Sequence, residues 1–267
     1  MSALIHKSAV IDPTAVLADD VEVAPFAFIG PNCRLASGVR VGHGATIEQN
    51  TTIGRCTRIW PQAAVGVDAQ DLKYAGEETF LEIGENCMIR EFASLHRGTS
   101  GGGNLTKLGN YVLVMNGAHV GHDATIGDHC IVAAHAAIGG HVIMDEYAII
   151  GGVTGVHQWV RIGAHAMIGF GTMVNQDVLP FAVVKGTEAK LESVNIVGLK
   201  RRGFSKSEIR DIRSAMKTLF LERGNESLTD AVEKVRVKFK ESEYVTAMLD
   251  FVESEVGLAR KRGFASV

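Results

Sequence analysis

The sequence predicts a left-handed parallel β-helix, a solenoid of six-residue repeats, followed by a small α-helical C-terminal domain. Three observations predict it. An aliphatic residue recurs at every sixth position in three runs, which begin at Ile5, Ile83 and Leu108. A small residue follows four positions after each of these aliphatic residues. Beyond Pro180 the period of six ends, and apolar residues then recur at helical spacing.

The period of six indicates a repeat, because neither a helix nor an isolated strand produces it. Each hexad can form one short strand and a turn, so three hexads form a triangular coil of about 18 residues. Successive coils then stack about 4.8 Å apart, which is the usual spacing of paired strands. The aliphatic residue points into the prism and the small residue relieves the corner. This fold is an accepted exception to the right-handed crossover rule, and we predict it for residues 1–184.

Two segments interrupt the hexads, near residues 68–82 and 97–107. Both lack the inward aliphatic residues, and the second is rich in glycine. A solenoid can extrude such insertions as loops without disturbing its coils, and extruded loops often carry function.

The remaining residues, 185–267, are predicted to form the helical domain. Ser205 is a candidate N-cap, with Glu208 three residues later completing a capping box. Apolar residues follow at three- and four-residue steps from Ile209 to Phe220. Further helices are predicted over 227–239 and 242–258.

The composition is that of a folded protein, with 46% hydrophobic and 21% charged residues in 267. No apolar run approaches the roughly 20 residues of a membrane span, and the first residues lack a signal-peptide core. The four cysteines show no CxxC spacing, and all except Cys56 occupy the small position of a hexad. We therefore expect a reduced, cytoplasmic protein. Acidic residues predominate before residue 185 and basic residues after it, so the C-terminal part could attract an acidic partner.

The stacking of coils gathers several histidines along one edge. Because residue n lies under residue n+18, His122 lies beneath Gly140 and, two coils away, Gln158. The same edge should also hold His119, His141 and His157. Isolated histidines elsewhere are predicted to be surface residues: His43, His129, His135 and His165.

This cluster offers a base that works near neutral pH. Asp123 could orient the His122 imidazole, and Gly140 would leave a backbone N–H exposed as an oxyanion donor. No serine or cysteine stands obviously in the column, so direct transfer is favoured over a covalent intermediate. Two other interpretations of this cluster stay open. The histidines could bind zinc, as in carbonic anhydrases of the same fold, or the solenoid could be a non-catalytic or sugar-binding scaffold.

Six segments resemble one family closely, the UDP-N-acetylglucosamine O-acyltransferases of lipid A biosynthesis. The resemblance covers nearly the whole chain, and its most specific segments lie outside the repeat. The segments are QDLKYAGE at 70–77, HRGT at 96–99, NGAHVGHD at 116–123, AIIGG at 148–152, VHQ at 156–158 and GLKRRGFS at 198–205.

The resemblance implies a homotrimer with active sites between subunits, no cofactor and no metal. It implies transfer of an (R)-3-hydroxyacyl group from acyl carrier protein to the 3-hydroxyl of UDP-N-acetylglucosamine, with no nucleic-acid partner. His122 would be the general base, Asp123 its support and Gly140 the oxyanion donor. The remaining implied site residues are Gln70, Asp71, Lys73 and His141 near the sugar, His119, His157 and Gln158 in the cleft, Asn195, Arg201 and Arg202 near the nucleotide, and Met115 and Phe170 in the acyl pocket.

Two positions depart from the family pattern. Phe170 stands where members that use longer chains have glycine, so we expect a donor shorter than fourteen carbons. Losing room for two methylenes costs about 1.6 kcal/mol, roughly tenfold in preference. Val197 replaces an acidic residue that is common near the nucleotide. No residue decides between a hydroxyl and a 3-amino acceptor, so an N-acyltransferase also stays open.

Overall fold

A computed structural model of the protein describes residues 4–224, 226–254 and 263–265. Its main body is the predicted left-handed β-helix, in which short parallel strands form the three faces of a triangular prism. The aliphatic residue of each hexad points inward, and Ile29, Ile47 and Ile150 are completely buried. Full burial of such a side chain contributes about 1.5–3 kcal/mol, so the stability of the solenoid comes mainly from stacking one coil on the next.

The strands of the described residues fall into three sheets. Sheet A contains β1 (Leu4–Ile5), β4 (Glu22–Val23), β7 (Arg40–Val41), β10 (Arg58–Ile59), β13 (Met88–Ile89), β16 (Leu113–Val114), β19 (Ile131–Val132), β22 (Ile149–Ile150), β25 (Met167–Ile168), β27 (Ala182–Lys185) and β28 (Lys190–Val194). Sheet B contains β2 (Val10–Ile11), β5 (Phe28–Ile29), β8 (Thr46–Ile47), β11 (Ala64–Val67), β14 (Ser94–His96), β17 (His119–Val120), β20 (Ala137–Ile138), β23 (Gly155–Val156) and β26 (Met173–Val174). Sheet C contains β3 (Val16–Leu17), β6 (Arg34–Leu35), β9 (Thr51–Ile53), β12 (Phe80–Ile83), β15 (Leu105–Leu108), β18 (Thr125–Ile126), β21 (Ile143–Met144) and β24 (Arg161–Ile162).

The register of these strands is the predicted one wherever the hexads are uninterrupted. His119 pairs with Ala137, and Ala137 pairs with Gly155, each 18 residues further along the chain. Across the second insertion the partner of Leu95 is Val120 instead. An 18-residue count therefore fails at the insertions, although the parallel pairing continues through them.

Both predicted insertions are shorter than the sequence suggested. The predicted segment 68–82 ends earlier, because strand β12 already begins at Phe80. The predicted segment 97–107 ends earlier for the same reason, since β15 begins at Leu105 and pairs with β12. Within the second insertion Ser100–Gly102 forms a single 3₁₀ turn.

A hairpin spans the predicted boundary of the solenoid at residue 184. Strands β27 and β28 form an antiparallel hairpin that continues sheet A to Val194. This hairpin reverses direction and therefore has no hexad pattern, yet its second strand covers the exposed hydrogen-bonding edge that the last coil would otherwise leave.

Four α-helices follow in the described residues. They are α1 (Ile196–Arg201), α2 (Lys206–Met216), which continues as a π-helical turn over Lys217–Leu221, α3 (Leu228–Lys238) and α4 (Glu243–Glu253). The predicted capping box of Ser205 and Glu208 is present, and Ser227 caps α3 as predicted. Helix α1 was not predicted. Residues 255–258 of the last predicted helix lie outside the described residues. None of the helices within the described ranges is long and apolar enough to cross a membrane.

Two of the isolated histidines are not the surface residues that we predicted. Rings at one corner, 18 residues apart, lie about one strand spacing apart and stack in a continuous column. Its members are Tyr111, His129, Tyr147 and His165, with centroids 4.6–4.9 Å apart, and Phe181 beyond them. His43 and His135 are exposed as expected, and the three hexad cysteines are buried.

Candidate active site

His122 and Asp123 form a buried pair at the corner between sheets B and C. The His122 Nδ1 lies 2.8 Å from Oδ2 of Asp123, and both residues are less than one-tenth exposed. This contact places the ring proton on Nδ1 and leaves Nε2 with a free lone pair, the arrangement that a general base requires.

Hydrogen bonds fix the position of Asp123. Its backbone adopts φ 59°, the left-handed region that aspartate enters more easily than most residues, and its N–H donates to Thr106 Oγ1 at 2.7 Å. The Thr99 N–H donates to Asp123 Oδ1 at 2.8 Å, and the Thr99 hydroxyl donates to Oδ2 at 2.7 Å. Burial alone would raise the pKa of the Asp123 carboxyl, but hydrogen bonds from His122 and Thr99 outweigh burial and hold this pKa below its usual range.

Gly140 lies next to the Cε1 and Nε2 atoms of the His122 ring, as the coil stacking predicts. A Cβ added at Gly140 would lie 2.6 Å from Cε1 and 2.7 Å from Nε2 of His122. Among the described residues, none accepts a hydrogen bond from the Gly140 amide. The site therefore presents an unpaired N–H next to the imidazole, in the position where an oxyanion donor would act.

His141 completes this corner. Its ring meets His122 edge-on with a centroid distance of 5.0 Å, and its other side stacks on Trp159 at 3.8 Å. Burial lowers the pKa of His141, with the Asp123 and Asp71 carboxylates opposing that effect. His141 is therefore neutral at physiological pH and can form hydrogen bonds to an uncharged group.

His119 lies on sheet B beside the dyad, where it contacts two residues that we did not predict for the site. Its Nδ1 lies 3.0 Å from Ser94 Oγ, and its ring centroid is 4.8 Å from that of His96. Ser94 pairs with His119 on sheet B and lies outside the column of His122, Gly140 and Gln158. Burial, with smaller effects from His96 and His122, lowers the pKa of His119 to about 4, so His119 is too weak a base to activate the serine.

Four other residues predicted for the sugar and the cleft are exposed at the edge of the site. Gln70 and Lys73 are exposed on the first insertion, where the Lys73 N–H donates to Asp71 Oδ1 at 2.9 Å. His157 and Gln158 follow strand β23 one coil above Gly140, and both are exposed. They border the site rather than contact its buried pair.

The predicted nucleotide and acyl residues lie at the other two corners of the same prism. Arg202 packs on the ring of Tyr147, between sheets C and A, and donates to its carbonyl at 2.9 Å. Asn195 is buried there, where it caps α1 and donates to the His165 carbonyl, while Arg201 is exposed. Met115 and Phe170 lie between sheets A and B. One chain therefore does not bring the three groups together.

Comparisons with known proteins agree with this architecture. A family profile described as "Udp N-acetylglucosamine O-acyltransferase; Domain 2" matches residues 177–265, and one described as "Bacterial transferase hexapeptide (six repeats)" matches residues 105–140. An acyl-[acyl-carrier-protein]–UDP-N-acetylglucosamine O-acyltransferase from Xanthomonas axonopodis pv. citri is 46% identical over 253 residues, which cover 94% of this chain and 95% of that protein. The chain belongs to this O-acyltransferase family.

Two further members support the assignment of this acyltransferase. A protein of the same name from Stenotrophomonas maltophilia is 43% identical over 251 residues, covering 93% of this chain and 94% of its own. The solved structure of LpxA from Acinetobacter baumannii matches with a TM-score of 0.92 and 36% identity, covering 98% of this chain and 99% of that one. The resemblance that the sequence motifs indicated is therefore confirmed, and the protein is an acyltransferase.

The metal-binding alternative concerns the same corner of the prism. His122, Asp123 and His141 could each offer a ligand atom, all within 4.8 Å of one another. However, Asp123 Oδ2 already accepts hydrogen bonds from both His122 Nδ1 and the Thr99 hydroxyl. The Asp123 carboxylate therefore orients the His122 imidazole through Nδ1 and leaves Nε2 open, so a chelator is the direct test of a metal at this corner.

Proposed function

We propose that this acyltransferase transfers an (R)-3-hydroxyacyl group from acyl carrier protein to the 3-hydroxyl of UDP-N-acetylglucosamine, the first step of lipid A biosynthesis. Family membership supports the reaction. The observation that carries the mechanism is the buried His122–Asp123 pair, 2.8 Å apart, with its imidazole lying against Gly140.

In the first step, Nε2 of His122 removes the proton from the sugar hydroxyl. The hydroxyl oxygen then forms a bond to the thioester carbonyl carbon, and the carbonyl oxygen becomes an oxyanion. The Gly140 N–H donates to this oxyanion. The Asp123 carboxylate stabilises the imidazolium that results, because its lowered pKa keeps it ionised.

In the second step, the tetrahedral intermediate collapses and the carbon–sulfur bond breaks. The His122 imidazolium gives its proton to the thiolate of the carrier. The products are the acylated sugar and the free thiol of the carrier, and His122 is neutral again. Transfer is direct in this scheme. The Ser94 hydroxyl lies within hydrogen-bond distance of His119, but burial lowers the pKa of that imidazole to about 4, so His119 is a weak base.

A homotrimer would unite the three groups of site residues. Each prism carries the base at one corner, the basic pair Arg201 and Arg202 at a second and Phe170 at the third. Only a neighbouring subunit can bring a second corner against the first. Arginine suits the diphosphate because it binds phosphate through two parallel hydrogen bonds, while Asp71 and Lys73 reach the sugar from the first insertion.

Phe170 limits the length of the acyl chain in this scheme. Its side chain is 77% exposed in the single chain, and its ring lies back over Gly152 on the coil below. It therefore projects from the prism where a neighbouring prism would pack, together with Met115 lower on the same corner. A ring in this groove shortens the space for the donor, so we propose a donor shorter than fourteen carbons.

The donor arrives on acyl carrier protein, an acidic protein that fits the basic balance of residues 185–267. Both substrates are cytoplasmic, so the enzyme would act in the cytoplasm. The excess of positive charge predicts that association with the carrier weakens as salt concentration rises.

The experiment that tests the proposal is a matrix of acyl donors and acceptors, analysed by product mass. Carrier-bound 3-hydroxyacyl chains of several lengths are combined with UDP-N-acetylglucosamine and with its 3-amino analogue, with and without a chelator. We expect O-acylated product that is insensitive to the chelator. Transfer only to the amino sugar would instead establish an N-acyltransferase, and no transfer to either acceptor would refute the proposed function.

A further inference from the structure

The glycine-rich second insertion closes over the carboxylate of Asp123. Thr99 donates to both carboxylate oxygens, through its N–H at 2.8 Å and its hydroxyl at 2.7 Å. Three residues later Gly102 passes directly over the same group, so a Cβ at that position would overlap the Asp123 carboxylate. The carboxylate side chain is only 1% exposed as a result. The insertion therefore excludes water from the dyad as well as contacting it.

Thr99 is itself held firmly. Its carbonyl accepts hydrogen bonds from the Gly102 and Asn104 amides at 3.0 and 2.9 Å, which close the loop on itself. Two residues earlier, the Arg97 side chain is 1% exposed and bonds to the Gly66 carbonyl and the Asp68 carboxylate. The threonine hydroxyl is therefore presented to Asp123 from a fixed backbone.

Two imidazoles compete for the same oxygen of Asp123. Oδ2 lies 2.8 Å from His122 Nδ1 and 3.7 Å from His141 Nδ1. The His122 contact is within hydrogen-bond distance and the His141 contact is not, so Asp123 supports His122 in the observed orientation. Thr99 opposes a rotation of the carboxylate about its Cβ–Cγ bond, because it bonds to both carboxylate oxygens in the observed orientation.

We propose that Thr99 is a positioning residue of this enzyme, which selects His122 over His141 as the imidazole that Asp123 supports. The inference rests on the proposed function, in which His122 is the base. Thr99 touches neither substrate in this scheme. It acts on the reaction only through the orientation of Asp123, and so of His122.

The test compares two variants of Thr99 with a neighbouring control. Thr99→Val removes the hydroxyl and keeps the shape, and Thr99→Ser keeps the hydroxyl. Ser100→Ala is the control, because that hydroxyl belongs to the same loop but bonds to Glu77 at 3.1 Å. We expect Thr99→Val to lower kcat about 10- to 100-fold with little change in either KM. Thr99→Ser and Ser100→Ala should retain kcat within about threefold.

A double variant separates this inference from the proposed function. In a His122→Ala background, Thr99→Val should have almost no further effect on the residual rate, because residues that act through one another are not additive. A Thr99→Val enzyme with normal kcat, or a full additional loss in the His122→Ala background, would refute the role of Thr99 alone. Normal activity of His122→Ala by itself would instead refute the base assignment on which the inference depends.

Discussion

Substitution of Gly140 by alanine is the sharpest test of the site geometry. The added Cβ would lie 2.6 Å from Cε1 of His122, whereas ordinary van der Waals contact begins near 3.4 Å. The ring must therefore retreat by about 0.8 Å, the difference between these distances, while Asp123 holds its Nδ1 side. Misplacement of a reacting group by about 1 Å can lower a rate about 100-fold, which corresponds to about 2.7 kcal/mol of transition-state stabilisation.

The assay is the steady-state rate of acyl transfer for Gly140→Ala, beside circular dichroism and sedimentation to verify the fold and assembly. Gly101→Ala is the matched control, because nothing lies within 4 Å of a Cβ at that position. We expect kcat to fall about 100-fold for Gly140→Ala and to stay near normal for the control. Normal kcat in a correctly folded Gly140→Ala enzyme would mean that the observed contact between His122 and Gly140 has no part in catalysis.

Three further predictions follow from named side chains. His122→Ala should remain folded and lose at least about 100-fold in kcat; near-normal turnover would exclude it as the base. Phe170→Gly should shift the preferred donor toward longer chains by roughly tenfold per two methylenes, and an unchanged profile across a donor series would show that this ring does not limit chain length. Burial lowers the pKa of His165 from 6.5 to about 4. Between pH 6.5 and about pH 4, His165 is therefore protonated in the unfolded chain and neutral in the folded chain. Stability should therefore fall as pH drops below about 6.5, by about 2 kcal/mol at pH 5 from this residue. Urea unfolding at fixed protein concentration measures the free energy of unfolding at each pH. A His165→Phe enzyme whose stability depends on pH in the same way would show that His165 does not cause the loss.

The prediction of the solenoid depended only on local pattern. In a strand of two residues, the side chain that faces inward is set by its position in the hexad, so the period of six in the sequence is also the period of the fold. Helix α1 and the hairpin before it were not predicted, because they depend on contacts between residues far apart in the chain. The Asn195 side chain that caps α1 also bonds to the His165 carbonyl, 30 residues earlier, and no local signal reveals that contact.

Part of the site was predictable by counting. His122, Gly140 and His141 lie within the uninterrupted hexads, so a count of 18 brings them together. Ser94 and His96 precede the second insertion, and the count from Leu95 to its partner Val120 includes that loop. The two residues therefore could not be aligned with His119 from the sequence, although both contact it.

From the sequence alone it follows that this protein is a hexapeptide solenoid, that a histidine stands beside a bare glycine on adjacent coils, and that its motifs belong to one acyltransferase family. Only the tertiary structure decided how Asp123 is oriented, which residues border His119, and that the base, the basic pair and Phe170 occupy three separate corners. The physical reason is that strand register propagates by fixed hydrogen bonding from coil to coil. The path of an extruded loop depends instead on contacts between residues far apart in the chain. The same contacts decide which side chain of the loop packs against the prism.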